Sequence, residues 1–133
     1  MREVLQDKFK NFSQALRKLE KAIKEEGYEL SLDGTIKRFE FTFEMSWKAL
    51  KKFLLYEGFD CKTVRECIKT AFQTGFIKNE DLWLDMLDSR NKSSHIYDEE
   101  EAKKIYEKIK NFYVEEFKKL EEVLKKRLSG GEK

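Results

Sequence analysis

Apolar residues recur at steps of three and four along most of this chain, with charged residues filling the gaps. Phe9, Phe12, Leu16, Leu19 and Ile23 form the first such stripe, the signature of one buried face on an α-helix. It predicts a helix from Arg2 to about Glu26, closed by a left-handed cap at Gly27. A second helix is expected from an N-cap at Asp33 to about Tyr56. It carries two stripes: Ile36, Phe39, Phe43, Trp47, Leu50 and Leu54, and, offset around the axis, Phe41, Met45, Ala49 and Phe53. Two stripes imply a helix that is central or that also serves an interface, and Phe41, Met45 and Trp47 are the candidate partner or dimer contacts.

Further on the punctuation is sharper. Thr63-x-x-Glu66 is a capping box, and Val64, Cys67, Ile68, Ala71 and Phe72 give the buried face of a short third helix ended at Gly75. Asn79 caps a fourth, with Leu82, Leu84, Met86, Leu87 and part of Trp83 toward the core and Asp81, Asp85 and Asp88 on a solvated face. Asp98-x-x-Glu101 opens the last helix, whose stripe is Ala102, Ile105, Ile109, Phe112, Phe117, Leu120 and Leu124. Its acidic first turn and basic last turn both favour the helix dipole. The expected fold is all-α, an antiparallel up-and-down bundle of about five helices. It forms a single domain over residues 1–128, with residues 129–133 as a flexible tail.

Composition supports helices: the 133 residues include no proline, six glycines and 41% charged residues. Twenty-eight basic against 26 acidic residues leave a net charge of +2, which argues against a protein coated by nucleic acid and for local contacts only. No apolar run reaches the ~20 residues of a membrane span, and the N-terminus lacks a signal-peptide h-region, so a cytoplasmic location is expected. Cys61 and Cys67 match neither a C-x-x-C pair nor a secreted framework and read as reduced, structural thiols. No metal site and no cofactor are expected.

Chemistry concentrates in Ser89-Arg90-Asn91-Lys92-Ser93-Ser94-His95-Ile96-Tyr97-Asp98, which holds the sole histidine. A guanidinium grips phosphate in a forked contact, and an imidazole transfers protons near neutral pH. Arg90, Asn91 and His95 are thus the candidate catalytic residues, with Arg90 to stabilise charge on phosphate oxygens, Asn91 to orient and His95 as acid or base.

Arg90-Asn91-x3-His95-x-Tyr97 resembles the R-x4-6-H motif of HEPN domains, helical bundles of four to five helices. The stretch from Ile36 to Lys48 resembles the second helix of the HEPN branch called nucleotidyltransferase substrate-binding proteins. Together these similarities span about Phe9 to Leu128. The resemblance implies a non-catalytic homodimeric subunit that binds a separate minimal nucleotidyltransferase, with RNA or a nucleotide as further ligand. The chain itself shows no Gly-Ser followed by paired acidic metal ligands. The motif also implies an alternative, ranked second: a metal-independent endoribonuclease in a toxin–antitoxin-type pair, using Arg90 and His95 of two subunits. In that alternative the partner silences the nuclease by transferring AMP to Tyr97, placing a phosphate charge beside Arg90.

Overall fold

A computed structural model of the chain describes residues 1–24, 28–95 and 98–130, with backbone alone over 28–31. The helices are α1 (Arg2–Lys24), α2 (Tyr28–Tyr56), α3 (Val64–Gln73), α4 (Glu80–Ser93), α5 (Glu99–Lys108) and α6 (Val114–Gly130). A π-helical segment, Ile109–Tyr113, joins the last two into one continuous rod. The result is the expected all-α bundle. Its antiparallel neighbours are marked by cross-helix contacts: Ala15 meets Thr42 between α1 and α2, and Glu44 meets Arg90 between α2 and α4. Arg17 pairs with Glu121 between α1 and α6. No described helix is long and apolar enough to cross a membrane.

An aromatic cluster ties the elements together. Phe12, Phe39, Phe43, Trp83, Tyr113 and Phe117 come from α1, α2, α4, the π segment and α6, and all are essentially without solvent exposure. Phe39 stacks on Tyr113 at 5.2 Å between ring centroids, and Trp83 meets Phe117 edge-on at 5.7 Å. These are offset or edge-to-face geometries that suit ring quadrupoles. α2 does run through the middle of this core. Two of its buried hydroxyls bond carbonyls within the helix layer, Thr42 donating to the Arg38 and Ala15 carbonyls and Ser46 to the Phe43 carbonyl, whereas Thr35 Oγ1 has no partner among the described residues.

Caps appear largely where the sequence places them. The Thr63 hydroxyl accepts from the Glu66 amide, and Glu66 Oε1 accepts from the Lys62 amide at 2.7 Å. Asn79 accepts from the Leu82 amide, and Asp98 from the Glu101 amide at 2.8 Å. Gly75 has φ +88°, a left-handed conformation that glycine adopts without steric cost.

Several expectations need correction. α2 begins at Tyr28, so Asp33 lies within the helix and is no N-cap; the expected cap at Gly27 falls outside the described residues. Phe72 and Phe112 are 43% and 54% exposed. Trp83 is wholly buried while Leu82 and Leu84 are only partly so. Cys61 and Cys67 are joined in a disulfide, not reduced. The connector before α3 brings their Cα atoms to 5.2 Å, within bonding range despite the absence of a C-x-x-C spacing. The last helix is not uniform either. Ile105, Ile109, Tyr113 and Phe117 are successive i+4 steps, each of which overshoots a full α-helical turn by roughly 40°. The π segment, closed by the Val114 amide on the Ile109 carbonyl, absorbs that drift and brings Tyr113 inward in place of Phe112. The helix continues through Ser129 and Gly130, and residues 131–133 of the expected tail lie outside the described residues.

Candidate functional site

The last turn of α4 delivers the motif. Asn79 fixes the start of this helix, and Arg90 and Lys92 lie in its final turn, where positive charge suits the exposed carbonyls. His95 follows in the turn after the helix, its amide donating to the Lys92 carbonyl at 2.8 Å.

Two carboxylates from α2 govern this end of α4. Arg90 Nη1 donates to Glu44 Oε1 at 3.0 Å, and its guanidinium lies 5.4 Å from the Phe43 ring centroid. Glu44 also faces Lys48 at 3.4 Å. One turn away, Glu40 accepts a hydrogen bond from the Ser93 hydroxyl. Glu40 and Glu44 share a face by i, i+4 spacing, so a single stripe of α2 grips both ends of the Arg90–Ser93 turn. The Arg90 guanidinium therefore points toward α2 and is partly shielded, 28% exposed.

Asn91 and His95 face elsewhere. Together with Lys92 from the same turn, Lys104 and Lys108 from α5, and the acidic Asp88 and Glu101, they line a cleft of about 430 Å³ between α4 and α5. Arg90 is not among its lining residues, but Arg90 Nε donates to Asn91 Oδ1 at 3.2 Å, so Asn91 links the guanidinium to the cleft. Lys92 pairs with Asp88 and Lys108 with Asp85, both at 3.3 Å. The cleft thus mixes amide, imidazole, ammonium and carboxylate groups, a surface suited to a polar anionic ligand.

Beneath it lies a buried polar knot. The Tyr113 hydroxyl is 2.6 Å from Asp85 Oδ2 and 2.7 Å from Ser89 Oγ. Burial, with the hydrogen bond to the Asp85 carboxylate, pushes the Tyr113 phenol well above its ordinary range. It remains a neutral donor and ties α4 to the π segment.

The structure therefore places Asn91 and His95 on one cleft and turns Arg90 away from it. Tyr97 lies outside the described residues. Of the three expected interface residues, only Phe41 presents its ring freely, at 58% exposure; Met45 and Trp47 pack partly against the core. No group of three or more potential metal ligands occurs among the described residues. The sequence reading assigned no role to Glu40 and Glu44, although their i, i+4 spacing inside the second-helix stretch was a usable signal. It offered none for Tyr113, whose inward position depends on the π segment.

Comparison with known proteins bears on the fold and the family. The family described as nucleotidyltransferase substrate binding protein like matches residues 7–126. A curated relative, the probable ribonuclease HepT of Haemophilus influenzae, is 31% identical over 87 residues, covering 62% of this chain and 60% of that protein. The matched region thus spans about three-fifths of that relative's length. A crystal structure from Thermus thermophilus superposes with a TM-score of 0.74 at 30% identity, covering 88% of this chain and 98% of that one. A second solved structure, from Haemophilus influenzae, is described as revealing the fold of a substrate binding domain of a nucleotidyltransferase. It superposes with a TM-score of 0.69 at 24% identity over 94% of this chain and 99% of its own, and shows the same fold. With a family match over nearly its whole length and the HEPN-type motif at the end of α4, the chain belongs to the nucleotidyltransferase substrate binding protein family.

Proposed function

We propose that this protein is the non-catalytic, substrate-binding subunit of a two-component system, a cytoplasmic homodimer that binds a separate nucleotidyltransferase chain. The observation that carries this reading is the commitment of Arg90 to Glu44. A guanidinium already neutralised by a neighbouring carboxylate, and turned from the cleft that holds His95, is poor equipment for gripping a scissile phosphate. It is good equipment for holding the turn rigid, so that Asn91, Lys92 and His95 are displayed to a partner or its substrate. Presenting groups on a pre-organised turn lowers the ordering cost of association.

The cleft favours one second reading. Asn91, His95 and three lysines converge there, and the relative with the matching sequence is named a probable ribonuclease. In a metal-independent cleavage, His95 of one subunit takes the ribose 2′-hydroxyl proton as that oxygen attacks phosphorus. His95 of the second subunit protonates the departing 5′-oxygen, and a 2′,3′-cyclic phosphate results. Arg90 joins this chemistry only after leaving Glu44 for the phosphate, and AMP on Tyr97 would then compete for the same guanidinium.

One set of measurements separates the two. The purified protein is incubated with RNA in EDTA, alone and as Glu44→Gln and His95→Ala, and its mass is determined with and without a candidate nucleotidyltransferase chain. The subunit reading expects a dimer that co-purifies with the transferase and leaves RNA intact, in wild type and in Glu44→Gln. EDTA-resistant cleavage that rises in Glu44→Gln and vanishes in His95→Ala would establish the nuclease instead. A strict monomer that ignores the transferase would overturn the subunit reading.

A further inference from the structure

A second surface, away from the motif, has a composition that the near-neutral net charge conceals. Between α1 and α2 runs a groove of about 320 Å³, lined by Ala15, Lys18, Gly34, Lys37, Arg38 and Phe41. Its chemistry differs from that of the rest of the surface in two respects. Many of the chain's other basic groups sit in ion pairs, as do Arg17, Lys48, Lys62, Arg90, Lys92, Lys108 and Arg127. Lys18, Lys37 and Arg38 have no side-chain partner among the described residues. Among the described residues no acidic side chain lines the groove, and the nearby Glu40 is turned to Ser93 on α4.

The floor and rim complete the picture. Ala15 and Gly34 are small, and a β-carbon built on Gly34 would meet nothing within 4 Å, so the groove is open to an incoming group. On its rim stands Phe41, 58% exposed although it belongs to the helix that supplies most of the core. α2 is held rigidly there by the Thr42 hydroxyl, which donates to carbonyls on both helices. An exposed aromatic ring on a fixed backbone, flanked by three unneutralised cations, joins a stacking face to phosphate contacts.

We propose that this α1–α2 groove docks single-stranded nucleic acid, with one base stacked on Phe41 and adjoining phosphates held by Lys18, Lys37 and Arg38. Charge complementarity and the flat exposed ring favour a strand that carries a phosphate and a base in every unit. A purely acidic peptide would satisfy the cations but leave the ring without a stacking partner. The proposal does not rest on the function proposed for the Arg90–His95 segment: it concerns binding at a different face, whether or not the chain cleaves RNA.

The test uses the full-length protein and a fluorescently labelled 2′-O-methyl RNA decamer, which lacks the 2′-hydroxyl nucleophile and so cannot be cut during the assay. Affinity is read by polarisation between 50 and 200 mM salt, with the protein's mass followed in parallel. Three phosphate contacts on a single strand predict a slope of log K against log salt of about −2. Phe41→Ala should weaken binding about tenfold with the slope unchanged, because stacking is not ionic. Lys37→Ala and Arg38→Ala should each flatten the slope by about 0.7, whereas Lys125→Ala on α6 should not. Phe41→Trp, which keeps a stacking face, should restore affinity. Wild-type slopes and affinities in Phe41→Ala and Lys37→Ala would overturn the proposal. So would conversion of a dimer to a monomer by Phe41→Ala, which would make the groove a subunit contact. Displacement of the decamer by free AMP at equal concentration of nucleotide units would also refute a strand-binding groove.

Discussion

Tyr113→Phe isolates the polar knot under the cleft, because it deletes one oxygen and leaves the ring, so no cavity opens. In the folded protein that oxygen bonds Ser89 Oγ at 2.7 Å and Asp85 Oδ2 at 2.6 Å. Ser89 is 4% exposed and has no other side-chain partner among the described residues. Leaving a buried hydroxyl unsatisfied costs about 1–3 kcal/mol. Asp85 retains Lys108 at 3.3 Å and is 38% exposed, so water can replace its lost partner. The sum is a destabilisation of about 2 kcal/mol, or roughly 6 °C in Tm for a chain of this size. Ser89→Ala alone should cost only about 1 kcal/mol, since the phenol keeps Asp85. The double variant should then fall short of additivity by about 1 kcal/mol, as expected for residues in one network. Urea unfolding by circular dichroism measures all four corners of the cycle. Alkaline pH supplies an independent check. The fold makes the phenol a weaker acid, so the unfolded chain ionises Tyr113 at about pH 10 while the folded chain holds its proton. Stability from this group is therefore full below that pH and falls as pH rises above it, and Tyr113→Phe should lack this component of the alkaline slope. A Tyr113→Phe loss under 0.5 kcal/mol, or an additive cycle, would refute the reasoning.

Two further outcomes follow from local structure. Gly34→Ala, at an open and exposed position inside α2, should stabilise the fold by up to about 1 kcal/mol through helix propensity, read as a higher urea midpoint with an unchanged m-value. Reduction of Cys61–Cys67, or Cys61→Ser, should lower stability by about 2 kcal/mol because the bond closes a loop of only six-residue separation. Comparing Tm with and without dithiothreitol tests this, and identical values would show that the bond is dispensable.

Much was legible along the chain because it is written locally. Helix stripes repeat within a few residues, and caps such as Thr63, Asn79 and Asp98 act on amides three positions away. Periodicity and capping therefore determined the number, order and most boundaries of the helices, and the motif on α4 with the second-helix stretch determined the family. What the sequence could not determine is the set of choices made by packing. Nothing in the local pattern distinguishes Phe112 from Tyr113; the π segment decides it, because a straight helix could not keep Ile105, Ile109, Tyr113 and Phe117 on one face. Cys61 and Cys67 meet only because the connector into α3 folds back. Arg90 stands beside His95 in sequence, yet Glu44, forty-six residues away, draws its guanidinium to α2 and leaves Asn91 and His95 on the cleft. Side-chain direction at a helix end is set by whichever charge the neighbouring helix presents, and only the tertiary structure brings that charge into place.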